Sequence, residues 1–337
     1  MPVHPIASTE RPRCLYESAQ RLVWLRAPSA DAPGQVQDGQ VQDGEVHKVY
    51  LAGTLADAER EARMGAACAG QGVIAYLGAT SDPGTGRPLV RQVYVPGQNL
   101  ESLALERGAL PGREAAALVQ RVATTLARLH ALRTPAAPHG VCHGDVKPQN
   151  LLATDEGDVL LLDFEHARAV GDVHEHRAFT GGTVAWSPPE AHDGATPDAA
   201  FDVFGLGATL AFLLDGDTSR AVPRHPLLDA LVQDCCAPAP ALRPSAQQVA
   251  ARCAALLPQL EADQAERHLH DWATGSCAAR PASDPDARTA TWFRRDRLLR
   301  RLPGLLEFPD RAPEEPDALL AGLDAVRRAL RRFPRSA

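Results

Sequence analysis

Val141–Glu165 reads VCHGDVKPQNLLATDEGDVLLLDFE, and the order of its polar and apolar residues decides how the rest of the chain is read. Asp145 and Lys147 sit two apart, and Asn150 comes three later. Leu151 to Ala153 is apolar, Asp155-Glu156-Gly157 is turn-forming, and Val159 to Leu162 is apolar again before Asp163. An irregular loop followed by a tight hairpin can bring Asp145, Lys147, Asn150 and Asp163 to one edge. An acid, a cation, an amide and a second acid then surround one small volume.

Metal-assisted phosphoryl transfer calls for this set of groups. Asp163 and Asn150 supply hard oxygens that suit Mg²⁺ and leave room for phosphate oxygens and water. Lys147 can neutralise charge on the moving phosphoryl group. Asp145 can orient an attacking hydroxyl and accept its proton.

The stretch resembles the catalytic loop and metal-binding hairpin of eukaryotic-like (bacterial-type) Ser/Thr protein kinases. His143 to Asn150, HGDVKPQN, is similar to H-R-D-L-K-P-E-N, and Asp163-Phe164-Glu165 is similar to D-F-G. Gly144 stands where many such kinases carry an Arg that binds an activation-loop phosphate, and Glu165 replaces the Gly. H-G-D and D-F-E also resemble the aminoglycoside and choline phosphotransferases. The resemblance implies an α+β fold with two lobes: a small, mostly β lobe with one helix, and a larger, mainly helical lobe. It implies ATP and Mg²⁺ as cofactors, bound between the lobes. The expected organisation is a first lobe over 1–97 with a divergent phosphate-covering loop, a second lobe over 98–260, and a linker with helical extension over 261–337.

Composition is compatible with this. A chain of 337 residues can bury a large core. A net charge of −7 gives no support for nucleic-acid binding. Seven Cys without C-x-x-C spacing read as reduced thiols in a cytoplasm. Met1 to Arg13 has no apolar signal core, and no run of about 18 apolar residues suggests a membrane span. Only two lysines occur, Lys48 and Lys147, in a chain that otherwise uses Arg. Arg cannot mimic the compact ammonium of Lys at a phosphate, so these two places need it.

In the first lobe, Arg21 to Arg26 reads as the first strand. Gly34 to Gly44 follows and contains QVQDG twice. The resemblance calls for G-x-G-x-x-G here, and that motif is absent. The segment is a duplicated, flexible hairpin insert or a substitute loop. Val46 to Leu51 alternates as a strand bearing Lys48, and Asp57 to Met64 reads as a helix. The resemblance implies that Lys48 holds the α- and β-phosphates and that Glu61, with Glu59 as fallback, fixes Lys48 by an ion pair. Val73 to Leu77 and Leu89 to Val95 read as strands, with a turn at Asp82 to Gly86. Gly86 to Leu103, GRPLVRQVYVPGQNLESL, resembles the kinase hinge, which implies that backbone groups from Val93 to Val95 meet the adenine edge, although Pro96-Gly97 could equally be a plain strand exit.

In the second lobe, Glu114 to His130 is an amphipathic helix with Leu118, Val122, Leu126 and Leu129 on one face. Thr180 to Glu190, TGGTVAWSPPE, resembles the protein-kinase G-T-x-x-Y-x-A-P-E. That implies Thr183 beside Asp145 and Lys147, and Glu190 paired with Arg243. Asp202 to Leu214 is apolar nearly all round and therefore buried. A buried Asp202 needs hydrogen-bond partners, which the resemblance puts in the catalytic-loop backbone. Leu227 to Cys236 and Ser245 to Leu257 read as closing helices. Ala318 to Leu330 is amphipathic: a docking helix for a partner, an acidic surface, or a helix packed against the second lobe with its Arg in solvent. The H-x-H pairs at His174 and His268 lack the acids or thiols that would complete a zinc site.

The expected activity is ATP- and Mg²⁺-dependent transfer to Ser/Thr hydroxyls of an unidentified protein substrate. Without the Arg before Asp145, it should depend little on phosphorylation of Thr180 or Thr183. The alternatives are a small-molecule phosphotransferase and a nucleotide-binding pseudokinase scaffold.

Overall fold

The computed structural model describes residues 13–18, 21–26, 44–135, 137–170, 186–192, 195–216 and 225–273. Thr180, Thr183, the paired histidines at 174 and 176, the QVQDG repeat and the helix expected over 318–330 lie outside these residues. The chain separates into two compact units, Met1–Pro258 and Gln259–Ala337.

The first unit begins with an antiparallel sheet. Its strands are β1 (Arg13–Glu17), β2 (Arg21–Arg26), β3 (Glu45–Tyr50), β4 (Tyr76–Ser81) and β5 (Pro88–Val93), in the order β1-β2-β3-β5-β4. One helix, α1 (Leu55–Ala67), packs on it. Thr54 starts that helix with a capping box: its hydroxyl accepts from Asp57 N–H, and the Asp57 carboxylate accepts from Thr54 N–H. Tyr50, Ala58 and Val90 are the fully buried contacts between helix and sheet.

Three expectations for this lobe need correction. The first strand is β1, not Arg21–Arg26. All five β1 residues are exposed, so this edge strand has no apolar face to reveal it in sequence. The QVQDG segment consequently lies between β2 and β3, outside the β1–β2 hairpin. The strand expected over Val73–Leu77 begins only at Tyr76, because Val73 is drawn into a parallel bridge with Leu161 of the second lobe. The strand expected to reach Val95 stops at Val93, and Gly97–Asn99 (β6) joins a different sheet.

The larger part is helical: α2 (Leu100–Arg107), α3 (Gly112–Ala131), a short α4 (Pro189–His192), α5 (Ala199–Asp215), α6 (Pro226–Cys235) and α7 (Ala246–Ala273). α3 buries Val119, Val122, Leu126 and Leu129, with Val119 in place of the expected Leu118. α5 is apolar nearly all round and buried, as its sequence requires. Gly205 in α5 permits close approach, since a Cβ there would stand 2.3 Å from the Val146 carbonyl oxygen. α7 runs through Pro258 to Ala273, well past the expected end at Leu257. Beneath the first sheet, β6 pairs with β8 (Leu151–Thr154), and β8 pairs with β9 (Val159–Leu161). β7 (Val141–Cys142) pairs with β10 (Arg168–Ala169). The β8–β9 hairpin is the one read from the quoted stretch.

Candidate active site

The β8–β9 hairpin sets the site. Leu151 faces Leu161 in its register, and Leu162 N–H donates to Asn150 O at 2.9 Å. Asn150 enters one strand as Asp163 leaves the other, so both stand at the same end of the hairpin. The Asn150 amide nitrogen donates to both Asp145 O and Asp145 Oδ2 at 2.9 Å, leaving its Oδ1 as the remaining polar atom. Lys147 Nζ also meets Asp145 Oδ2, at 2.6 Å. Asp145, Lys147 and Asn150 are thus one hydrogen-bonded group.

Lys48 approaches from β3. Its ammonium is buried, 2.6 Å from Asp163 Oδ1 and 2.9 Å from Glu61 Oε2. Sequence reasoning preferred Glu61 to Glu59, and the structure pairs Glu61. Tyr50 and Tyr76 hydroxyls donate to the same Glu61 carboxylate. Burial alone would lower the Lys48 pKa, but Asp163, Glu61 and Glu165 raise it, so the ammonium stays charged. Burial would raise the Asp163 carboxyl, but Lys48, with help from His166 and Lys147, holds it well below the usual carboxylate range. Burial pushes Glu61 up despite its pairing with Lys48. Asp163 has φ 61, the one non-glycine among the described residues with positive φ, a left-handed conformation that costs a non-glycine about 1–2 kcal/mol.

A second layer fixes the loop from below. Asp202, fully buried on α5, accepts from His143 N–H at 2.9 Å and Gly144 N–H at 2.8 Å, and bonds His130 Nε2 at 2.8 Å. Burial would raise this carboxyl, but His130 and the loop hold it low. His143 Nδ1 accepts from Asp145 N–H at 3.3 Å, which makes Nε2 the protonated nitrogen that donates to Leu162 O at 2.8 Å. Gly144 has φ 77, and a Cβ there would stand 2.8 Å from His166 O. Phe164 is fully buried with its ring edge-on to His143 and Tyr76, and its N–H donates to the Tyr76 hydroxyl at 3.0 Å.

Farther out, Glu190 and Arg243 pair in two contacts of 2.6 and 2.8 Å, as the resemblance implied. Arg243 also donates to the carbonyls of Ala237 and Ala200. Arg243 holds the Glu190 carboxyl low against the effect of burial. At the strand exit, Val93 N–H donates to Ala75 O at 2.9 Å, so it is not available to a ligand. Val95 is half-buried beside it.

Several participants were not read from sequence. Arg21 bonds Glu165 through two nitrogens, and Arg60 donates to Glu165 O at 3.2 Å. Tyr76 joins Glu61 to Phe164. Arg21 reaches Glu165 from the strand register that sets it opposite Tyr50, which local sequence does not reveal. Nothing in local pattern marked Tyr76. Among the described residues, the acids Glu61, Asp163 and Glu165 bring ligand atoms within 4.8 Å of one another, with Lys48 bonded among them.

Residues 46–252 match the protein kinase domain family. Similar proteins include the serine/threonine-protein kinase PknK of Mycobacterium tuberculosis, 37% identical over 131 residues, covering 39% of this chain and 11% of that protein. The probable serine/threonine-protein kinase PkwA of Thermomonospora curvata is 34% identical over 137 residues, covering 40% of this chain and 17% of that protein. The serine/threonine-protein kinase PknL of Mycobacterium tuberculosis is 33% identical over 133 residues, covering 39% and 31%. The match thus spans between 11% and 31% of the length of these relatives.

Proposed function

From the premise that this chain belongs to the protein kinase domain family, we propose that it transfers the γ-phosphoryl group of ATP to Ser/Thr hydroxyls of a protein substrate. The observation that carries the reading is the convergence of Lys48, bonded to both Glu61 and Asp163, on the hairpin end that also presents Asn150 and the Asp145–Lys147 pair. The names of the relatives support Ser/Thr of proteins as acceptors over small molecules.

The residues fit Mg²⁺. Asn150 Oδ1 and the Asp163 carboxylate are hard oxygen donors at one hairpin end, and Asp163 stays ionised at neutral pH. When bound, Mg²⁺ would offset the charge of the phosphate oxygens. Lys48, held by Glu61, places a fixed positive charge for the non-transferred phosphates. Asp145 accepts the proton of the attacking hydroxyl, and its carboxylate is oriented for that by Asn150 and Lys147. Lys147 then faces the negative charge that develops on the phosphoryl group. The carbonyl of Val93 and the backbone of Val95 would bind the adenine edge. Free thiols at the six described cysteines support a cytoplasmic setting.

Incubation with labelled ATP, Mg²⁺ and a panel of protein and small-molecule acceptors tests the reading. Wild type should label protein, whereas Asp145→Asn and Asp163→Ala should not. Equal labelling by wild type and Asp145→Asn would refute the assigned chemistry.

A further inference from the structure

Two cations converge on Glu165, and the transfer step accounts for only one of them. Arg21 opens β2 just after the β1–β2 turn, where Ser18 N–H donates to Arg21 O at 2.8 Å and Ser18 Oγ accepts from Arg21 N–H at 3.0 Å. Strand register sets Arg21 opposite Tyr50 and Val23 opposite Lys48, so all four side chains share one face of the sheet. The Arg21 guanidinium lies 4.0 Å from the Tyr50 ring centroid, and Lys48 Nζ lies 5.4 Å from the same centroid. Arg21 Nε donates to Glu165 Oε2 at 3.1 Å, and its terminal nitrogen donates to Oε1. Lys48 Nζ stands 3.5 Å from that same Oε2. A guanidinium fork and an ammonium grip one carboxylate, which is how these groups also grip a phosphate.

Building on the phosphoryl-transfer reading, we propose that Arg21 binds the nucleotide phosphates beside Lys48, and that the Glu165 carboxylate holds their place while no nucleotide is bound. The β1–β2 turn, Glu17-Ser18-Ala19-Gln20-Arg21, contains no glycine whose bare backbone could close over phosphate. A guanidinium at its end supplies by charge what backbone N–H groups would otherwise supply. The local balance favours an exchange. Lys48 and Arg21 face three acids, Glu61, Asp163 and Glu165, so added phosphate charge is accommodated when one carboxylate leaves. Glu61 is fully buried, and Asp163 is bonded to Lys48 at the hairpin end. Glu165 keeps 23% of its side-chain surface exposed and can turn to water. Lys48 remains held by Glu61 and Asp163 when it does.

Calorimetric titration of the full chain with ATP, ADP and adenosine tests this, using wild type, Arg21→Gln, Arg21→Lys and Glu165→Gln. Thermal melts confirm that each variant is folded. Arg21→Gln should weaken ATP and ADP about tenfold or more, the size of a lost charge-assisted hydrogen bond, and leave adenosine unchanged. Arg21→Lys, which keeps charge without the fork, should fall between. Glu165→Gln should tighten ATP several-fold, because the internal competitor is gone. Unchanged ATP affinity in Arg21→Gln would overturn the proposal. So would weaker ATP binding in Glu165→Gln, which would make the pair a structural clamp. Wild type that binds neither ATP nor ADP would overturn this proposal and the phosphoryl-transfer reading together. Wild type that binds both while Arg21→Gln matches it would overturn this one alone.

Discussion

Replacing Asp202 with Asn keeps the shape of the side chain and changes what it can accept. The carboxylate takes His143 N–H on one oxygen and Gly144 N–H on the other, with His130 sharing the first. An amide retains one acceptor and turns an NH₂ group towards a backbone N–H. One buried donor is then left unsatisfied against another donor. A buried donor without a partner costs about 1–3 kcal/mol, and hydrogen bonds to a charged acceptor lie at the upper end. With the His130 contact weakened as well, the loss should be about 2–4 kcal/mol. Equilibrium urea denaturation measures it as a fall in midpoint at constant slope. The same change loosens His143-Gly144-Asp145, so phosphoryl transfer should fall further than stability alone explains at temperatures where the variant is folded. A loss under about 0.5 kcal/mol, with transfer intact, would refute the assignment of Asp202 as the support of this loop, since surface changes are of that size.

Glu190→Ala should cost about 2–4 kcal/mol, because Arg243 is left buried with only carbonyl partners; Arg243→Ala made in the same background should add little, and additive losses by denaturation would contradict the pairing. Tyr76→Phe removes the hydroxyl between Glu61 and Phe164 N–H, so it should cost about 1–2 kcal/mol and slow exchange protection at Phe164 should be lost, as hydrogen exchange can show. Acid should unfold the protein by a predictable route. Asp163, Asp202 and Glu190 titrate lower in the fold than in the unfolded chain, so their stabilisation is full above the unfolded carboxylate value of about 4 and is lost as pH falls from there through the lower folded values. Glu61 is shifted upwards and opposes this. The urea midpoint should drop as pH falls below about 4, and an unchanged midpoint over that range would show that the opposing shift cancels the loss.

The catalytic loop was legible because its chemistry is local. Asp145, Lys147 and Asn150 lie within six residues, and two apolar runs around a turn carry the chain to Asp163. Lys48 stood out because lysine is so rare here, and the middle of α1 was read as a helix over Asp57 to Met64, although its capping box at Thr54 and its full extent were not. β1 did not, because an edge strand exposed on both faces needs no alternation. That omission shifted the reading of the first lobe by one strand and put the covering loop in the wrong place. Arg21, Arg60 and Tyr76 were invisible for a different reason. Each reaches the Asp163–Glu165 turn from a separate element, a contact that exists only once the sheet, the helix and the hairpin are assembled.

The backbone at Gly144 limits which residue can stand before Asp145. Any side chain placed there enters a left-handed conformation, with its Cβ 2.8 Å from the His166 carbonyl oxygen. Arg placed at Gly144 should strain the loop that carries Asp145, and a lowered urea midpoint in Gly144→Arg would show it.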